Sequence, residues 1–294
     1  MSTIDKNNMW AACQLTMDIQ YDGKLPQNYK NKETYKNAGF TEEVYSYQDS
    51  QYGIHAGLIG LAGSNIILAF RGTDGTLDWL NDFNYIQIPF SYSGKVIGTG
   101  KVHTGFYDAI MSISDEIINK LKELKKLTSN SKIYVTGHSK GGAMATLLAK
   151  ILQYEDFTNI FVVTFGSPRV GDENFKKEYT ISHERYESFL DLIPHMPFTD
   201  QEQILMPKLN SLYETAGNIP LLKIIYQLLT KSKPYFSVGK LNCIYKKHGK
   251  YGNYPYETKN DLGETLNSLC AVEQIVRSVD LTLINDIHNN DYPG

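Results

Sequence analysis

The sequence predicts an α/β fold with a mostly parallel central sheet. Three observations carry that expectation. Short apolar, β-branched runs recur along the chain, segments of helical period lie between them, and one run feeds straight into a glycine-flanked serine that opens a small-residue helix.

The runs come in order. Asn65–Phe70 (NIILAF) reads as a buried strand ending at Arg71-Gly72. Lys132–Thr136 (KIYVT) and Ile160–Phe165 (IFVVTF) read the same way, Arg185–Leu190 is a weaker strand that runs into Asp191, and Leu241–Tyr245 is another. Between them, Phe106–Leu127 repeats apolar residues at Ile110, Ile113, Ile117, Leu121 and Leu124, near the helical period. Gly142–Leu152 is rich in Ala, Leu and Met, and Glu264–Val279 has a further helical pattern. Strands alternating with helices of this length call for crossover connections. We expect one domain over residues 1–294, with inserted helical segments at about 74–90 and about 200–237.

Composition narrows the function classes. The 294 residues carry a formal net charge of −3, so no basic field recruits nucleic acid. Cys13, Cys243 and Cys270 lack the paired spacing of a zinc site or the density of a disulfide framework, and read as reduced thiols. No metal or other cofactor is expected. The first residues, MSTIDKNNMWAACQ, hold no apolar run of signal-peptide length, and no stretch reaches the length of a membrane-spanning helix. The default expectation is a cytoplasmic location, with signal-independent secretion as the alternative.

Val135–Ala149 (VTGHSKGGAMATLLA) carries the chemistry. Strand, then Gly-x-Ser-x-Gly, then helix is the context of a nucleophile elbow. A serine at such a corner stands out above the sheet, and side chains two positions away would strike neighbouring backbone, hence Gly137 and Gly141. The helix that follows aims its N-terminus at the site, where dipole and free N–H groups favour negative charge. A tight turn with an incidental serine is the plain alternative. A phosphate-binding loop fails, because no Gly-Lys-Ser/Thr follows at the required spacing.

Several segments then match one family in order. Ile67–Asp82 (ILAFRGTDGTLDWLND), Val102–Phe106 (VHTGF), Gly137–Gly142, Thr164–Gly171 (TFGSPRVG) and Asp191–Pro197 (DLIPHMP) resemble the class 3, fungal-type triacylglycerol lipases, which have the α/β-hydrolase fold. Lys140 stands where many members carry leucine. The resemblance implies Ser139 as nucleophile, Asp191 as triad acid, and an oxyanion hole from the backbone N–H of Lys140 and the N–H and hydroxyl of Thr73, with Asp82 orienting that hydroxyl. It implies a lid in which Trp79, Leu80 and Phe83 form an apolar stripe, although a plain surface helix explains that stripe as well.

The third triad member must follow the acid in this fold. Of seven histidines, His195, His248 and His288 qualify by order. His195 sits too close to Asp191 to bridge it to Ser139. His248 lies among Lys246, Lys247 and Lys250, beside what reads as a hairpin turn. His288, in DIHNNDY, resembles the family's terminal loop, where a tyrosine follows the triad histidine closely, and it is the expected base. His103 and His138 resemble structural positions, and His55 and His183 have no motif around them. The implied activity is a serine carboxylester hydrolase on glycerolipid acyl esters, with transient contact at a lipid interface. Phospholipase A, a small-ester esterase and a non-catalytic hydrolase-fold signalling or scaffold protein stay open as alternatives.

Overall fold

In β3 (Asn65–Phe70) the side chains alternate between two cores. Ile66, Leu68 and Phe70 enter one hydrophobic cluster, while Ile67 and Ala69 enter the other. That period of two is what a strand covered on both faces requires. The computed structural model describes residues 4–49, 53–73, 86–128, 130–188, 191–197, 233–247, 250–253 and 292. Of Leu127 and of residues 245–247 and 250–253 it describes the backbone alone.

An N-terminal helix, α1 (Lys6–Thr16), starts on an Asp5 capping box: the Asp5 side chain accepts from Asn7 and Asn8 N–H, and Asn8 returns a bond to Asp5 N–H. After α2 (Glu33–Ala38) come β1 (Tyr45–Gln48) and β2 (Ala56–Ala62), then β3. A hairpin of β4 (Gln87–Tyr92) and β5 (Lys95–His103) leads to α3 (Thr104–Met111) and α4 (Ser114–Leu127). Next are β6 (Ile133–His138), α5 (Lys140–Tyr154), β7 (Ile160–Phe165), α6 (Glu173–Glu178), β8 (Ser182–Ser188), β9 (Lys240–Lys247) and β10 (Lys250–Asn253).

The main sheet runs β1-β2-β3-β6-β7-β8-β9-β10. The joins from β3 through β9 are parallel, and antiparallel strands flank them: β1 and β2 on one side, β10 on the other. This is the α/β-hydrolase architecture expected. One layer packs β2, β3, β6 and β7 against α3, α4 and α5 through Phe106, Ile117, Leu121, Met144 and Leu148. The opposite layer holds α1, with Met9, Trp10, Ala12 and Leu15 buried against Ile67, Ala69 and Phe165.

Several expectations need correction. The pattern over 106–127 is two helices, because His103 caps one and the chain breaks at Ser112-Ile113 before the next. The inserted segment does not run to residue 90, since Gln87 already pairs with His103 in the hairpin. Nor does the second one run to residue 237: Tyr235 is fully buried, and Phe236 N–H bonds Gly171 O at 2.8 Å. The strand before Asp191 is Ser182–Ser188. Residues 74–85, 201–232 and 264–279, with the bodies of both insertions and the last predicted helix, lie outside the described residues.

Candidate active site

Ser139 joins β6 to α5 with φ 55° and ψ −129°, backbone that an L-residue rarely adopts. The glycines explain how the corner closes. A Cβ on Gly137 would run into the Gly141 carbonyl carbon and lie 2.6 Å from Gly142 N. One on Gly141 would collide with Phe70 O and lie 2.8 Å from Arg71 O. Ser139 N–H donates to Phe165 O at 3.0 Å, so β7 holds the turn from the side.

Serine is a preferred helix cap, yet this hydroxyl makes no capping bond. Ser139 is 1% exposed, and its Oγ has no hydrogen-bond partner among the described residues. The Lys140 N–H opens α5 beside it. Across the corner, a Cβ on Gly72 would sit 3.1 Å from His138 O, which brings the turn after β3 against the elbow. Thr73 follows, and its buried Oγ1 likewise has no partner among the described residues. Among the described residues neither desolvated hydroxyl has a bond, and a polar ligand atom would offset that cost.

Asp191 follows β8, two strand spacings from β6, or about 10 Å across the sheet. Its carboxylate is fully buried. Oδ1 accepts from Ile193 N–H at 2.9 Å, and Oδ2 accepts from the Tyr292 hydroxyl at 2.6 Å. The same phenol oxygen accepts from Ser188 N–H at 3.1 Å. Burial first, then the Asp191 charge, pushes the Tyr292 phenol well above its ordinary pKa. It therefore stays a donor at neutral pH.

Arg169, inside TFGSPRVG, pins the loop that carries the acid. Its Nη1 donates to His195 O at 2.7 Å and Pro197 O at 3.1 Å, and its backbone N–H bonds Met196 O. Trp10 of α1 closes the other side, edge-on to His138 and Phe165 and tilted against Tyr292. A cleft of about 250 Å³ lies between Trp10, Gln14 and Met17 of the N-terminal segment and Gly72, Thr73 and His138.

The remaining histidines sort by environment. His103 Nδ1 accepts from Gly105 and Phe106 N–H, and burial holds its pKa down to about 3. His183 meets Thr164 Oγ1 at 2.9 Å and is also held near 3 by burial, then by Arg185. His195 is buried in a short helical turn. Cys13 and Cys243 are buried thiols whose pKa burial pushes to about 12, so neither is a thiolate at neutral pH.

The structure thus brings Ser139, Lys140, Thr73 and Asp191 to the carboxyl edge of the parallel strands, where α/β sheets place their ligands. His288, His248, Asp82, Trp79, Leu80 and Phe83 lie outside the described residues. Sequence reasoning passed over the Arg169 clamp, the Tyr292 bond and the Trp10 wall. A signal for the first two was present, because Arg169 sits within the most specific motif and a tyrosine was noted after His288.

Residues 67–201 match the family model for lipase (class 3). Over this stretch, 135 of the 294 residues, the chain is similar to the class 3 lipases. The chain is 36% identical over 146 residues to a lipase of Rhizomucor miehei, covering 47% of this chain and 39% of that protein. It is 34% identical over 139 residues to secreted mono- and diacylglycerol lipase 1 of Fusarium solani, covering 46% of this chain and 40% of that protein. The chain thus spans about two fifths of the length of these curated relatives. A triacylglycerol lipase whose catalytic centre is described as a serine protease triad superposes with a TM-score of 0.63 at 19% identity, over 92% of this chain and 94% of that one, and shares the fold.

The Fusarium relative corrects one expectation. This relative, named as secreted, points to an extracellular setting in place of the cytoplasmic default. That default rested on the first residues of the sequence alone, and composition is a poor guide to compartment.

Proposed function

We propose that the chain is a serine carboxylester hydrolase that cleaves acyl esters of glycerolipids through an acyl-enzyme. One observation carries the reading: Ser139 is held at φ 55° on an elbow, its Oγ buried and without a partner among the described residues, at the N-terminus of α5. Lipases among the relatives support the substrate class, and the secreted one supports work outside the cell. The shared sheet from β1 to β10, with Tyr292 packed in its α1 layer, supports one domain.

The mechanism we propose uses these residues in order. Ser139 Oγ attacks the ester carbonyl as its proton passes to a histidine, for which His288 is our assignment. Asp191, two strands away, orients that imidazole and stabilises its cation. The carbonyl oxygen, now negative, takes the Lys140 N–H and the Thr73 N–H and hydroxyl, aided by the positive end of α5. The histidine returns its proton to the leaving alcohol, and water then repeats the sequence on the acyl-enzyme.

The test is hydrolysis of p-nitrophenyl esters of graded chain length by wild type and by Ser139→Ala, together with fluorophosphonate labelling. Activity and label should both vanish in the variant. Unchanged labelling in Ser139→Ala would sink the assignment.

A further inference from the structure

Lys140 holds an unusual place. Its main-chain N–H is the donor at the elbow, yet the side chain is also buried, with 5% of the residue exposed. An ammonium at the first turn of a helix opposes the helix dipole and loses hydration. Specific bonds hold it there. Nζ donates to Ile54 O at 3.1 Å and lies 3.2 Å from His55 Nδ1. An ammonium only donates, so Nδ1 accepts and the imidazole proton sits on Nε2. Burial, then the Lys140 charge, holds His55 down to about 4, which keeps that nitrogen an acceptor.

The next residue closes a ring. Ala56 O accepts from Arg71 N–H at 3.0 Å, and Gly57 pairs with Phe70. Thr73 is two residues beyond Arg71. One path thus runs from the Lys140 N–H through its own side chain to Ile54 and His55, across Ala56 to Arg71, and on to Thr73. The two donor groups assigned to the oxyanion hole lie at its two ends.

We propose that the Lys140 side chain is a positioning residue that braces the oxyanion hole by tying the elbow to the strand edge leading to Thr73. The proposal rests on the ester-hydrolase reading. An apolar side chain here could make neither bond, so Lys140 sets the spacing of the donors through its own two contacts. A brace of this kind acts on the tetrahedral oxyanion more than on the bound ester, so it belongs in kcat rather than KM.

The experiment compares wild type, Lys140→Met, Lys140→Arg and His55→Ala on a soluble short-chain ester, with Ser139→Ala as control. Lys140→Met keeps the N–H and the apolar stem. Its kcat should fall about 10- to 100-fold, with KM within about threefold. The inhibition constant of an alkyl boronic acid, which forms a tetrahedral adduct on serine, should rise by a similar factor. Lys140→Arg should recover part of the loss, and His55→Ala should lose about threefold to tenfold in kcat. Ser139 should still take the fluorophosphonate in all but the control. A Lys140→Met enzyme with kcat within threefold of wild type, whatever its melting temperature, overturns the brace, as does an unchanged boronate affinity. If Lys140→Met does not fold, His55→Ala decides by the same kcat and boronate criteria. Activity that survives Ser139→Ala would instead remove Ser139 as the nucleophile and with it the serine-hydrolase reading.

Discussion

The Tyr292 hydroxyl donates to Asp191 Oδ2 at 2.6 Å while accepting from Ser188 N–H at 3.1 Å. One atom thus fastens the acid to the strand that delivers it. Trp10 and Phe165 pack around the same ring, so the bond is dry.

Tyr292→Phe should therefore remove two buried bonds without opening a cavity. We predict a loss of about 1–3 kcal/mol in urea unfolding, since a buried N–H and a carboxylate each lose a partner. Ester turnover should fall about tenfold as the carboxylate loosens, one power of ten being about 1.4 kcal/mol. A stability change below about 0.5 kcal/mol would show that the bond is idle. The sign at high pH is also fixed. A phenol held above its usual range in the fold contributes stability that is present below the unfolded pKa, near 10, and is lost as pH climbs towards the folded value. Wild type should thus lose more stability than Tyr292→Phe between about pH 10 and 12.

His103 and His183 make an acid-side prediction. Both are neutral in the fold, with pKa near 3, against about 6.5 in the unfolded chain. The unfolded state binds more protons in that window, so stability is full above about pH 6.5 and falls as pH drops towards 3. His103→Asn offers the cap an oxygen in place of Nδ1. Its unfolding free energy should depend less steeply on pH between 6 and 4 than that of wild type. Equal slopes would remove His103 from the account.

Thr73 separates hydroxyl from methyl. Thr73→Ser keeps the oxygen and should hold most of kcat. Thr73→Val keeps the shape and should lose about 10²–10³-fold, the usual size for one oxyanion donor. Equal activity in both variants would leave the main-chain N–H as the only contribution of this residue.

Two glycines at the corner should differ. A methyl on Gly141 meets the Phe70 and Arg71 carbonyl oxygens, which belong to backbone and cannot step aside. Gly141→Ala should cost about 3 kcal/mol or more and should uncouple the elbow. A methyl on Gly72 meets His138 O at 3.1 Å, a contact that a shift of a few tenths of an ångström relieves. Gly72→Ala should fold with a loss of roughly 1 kcal/mol. Thermal unfolding of the pair checks the order.

The parallel centre was legible because its strands are buried on both faces. NIILAF and IFVVTF have to be apolar, and turn glycines bound them. β1 (YSYQ) and β4 (QIPFSY) were not, since edge and hairpin strands carry mixed faces with no clear period. The α1 helix was hidden for a similar reason: MWAACQL is buried almost all round, so no polar stripe marks it. Ser139 and Asp191 announced themselves by motif. The Lys140 side chain did not, because its role depends on Ile54 and His55, more than eighty residues earlier, and no local pattern reports such a partner.

The bond from Tyr292 to Asp191 spans 101 residues of chain. On a ribosome adding about 5–20 residues per second, that distance is a delay of about 5 to 20 s. The elbow has its β3, β6 and β7 neighbours well before then, so the nucleophile is shaped while the carboxylate still lacks its phenol. A nascent chain arrested just short of Tyr292 should therefore carry a folded elbow whose serine reacts about tenfold or more slowly, which fluorophosphonate labelling of stalled chains would reveal. Long-range closure of this kind makes the armed carboxylate a later product of synthesis than the elbow it serves.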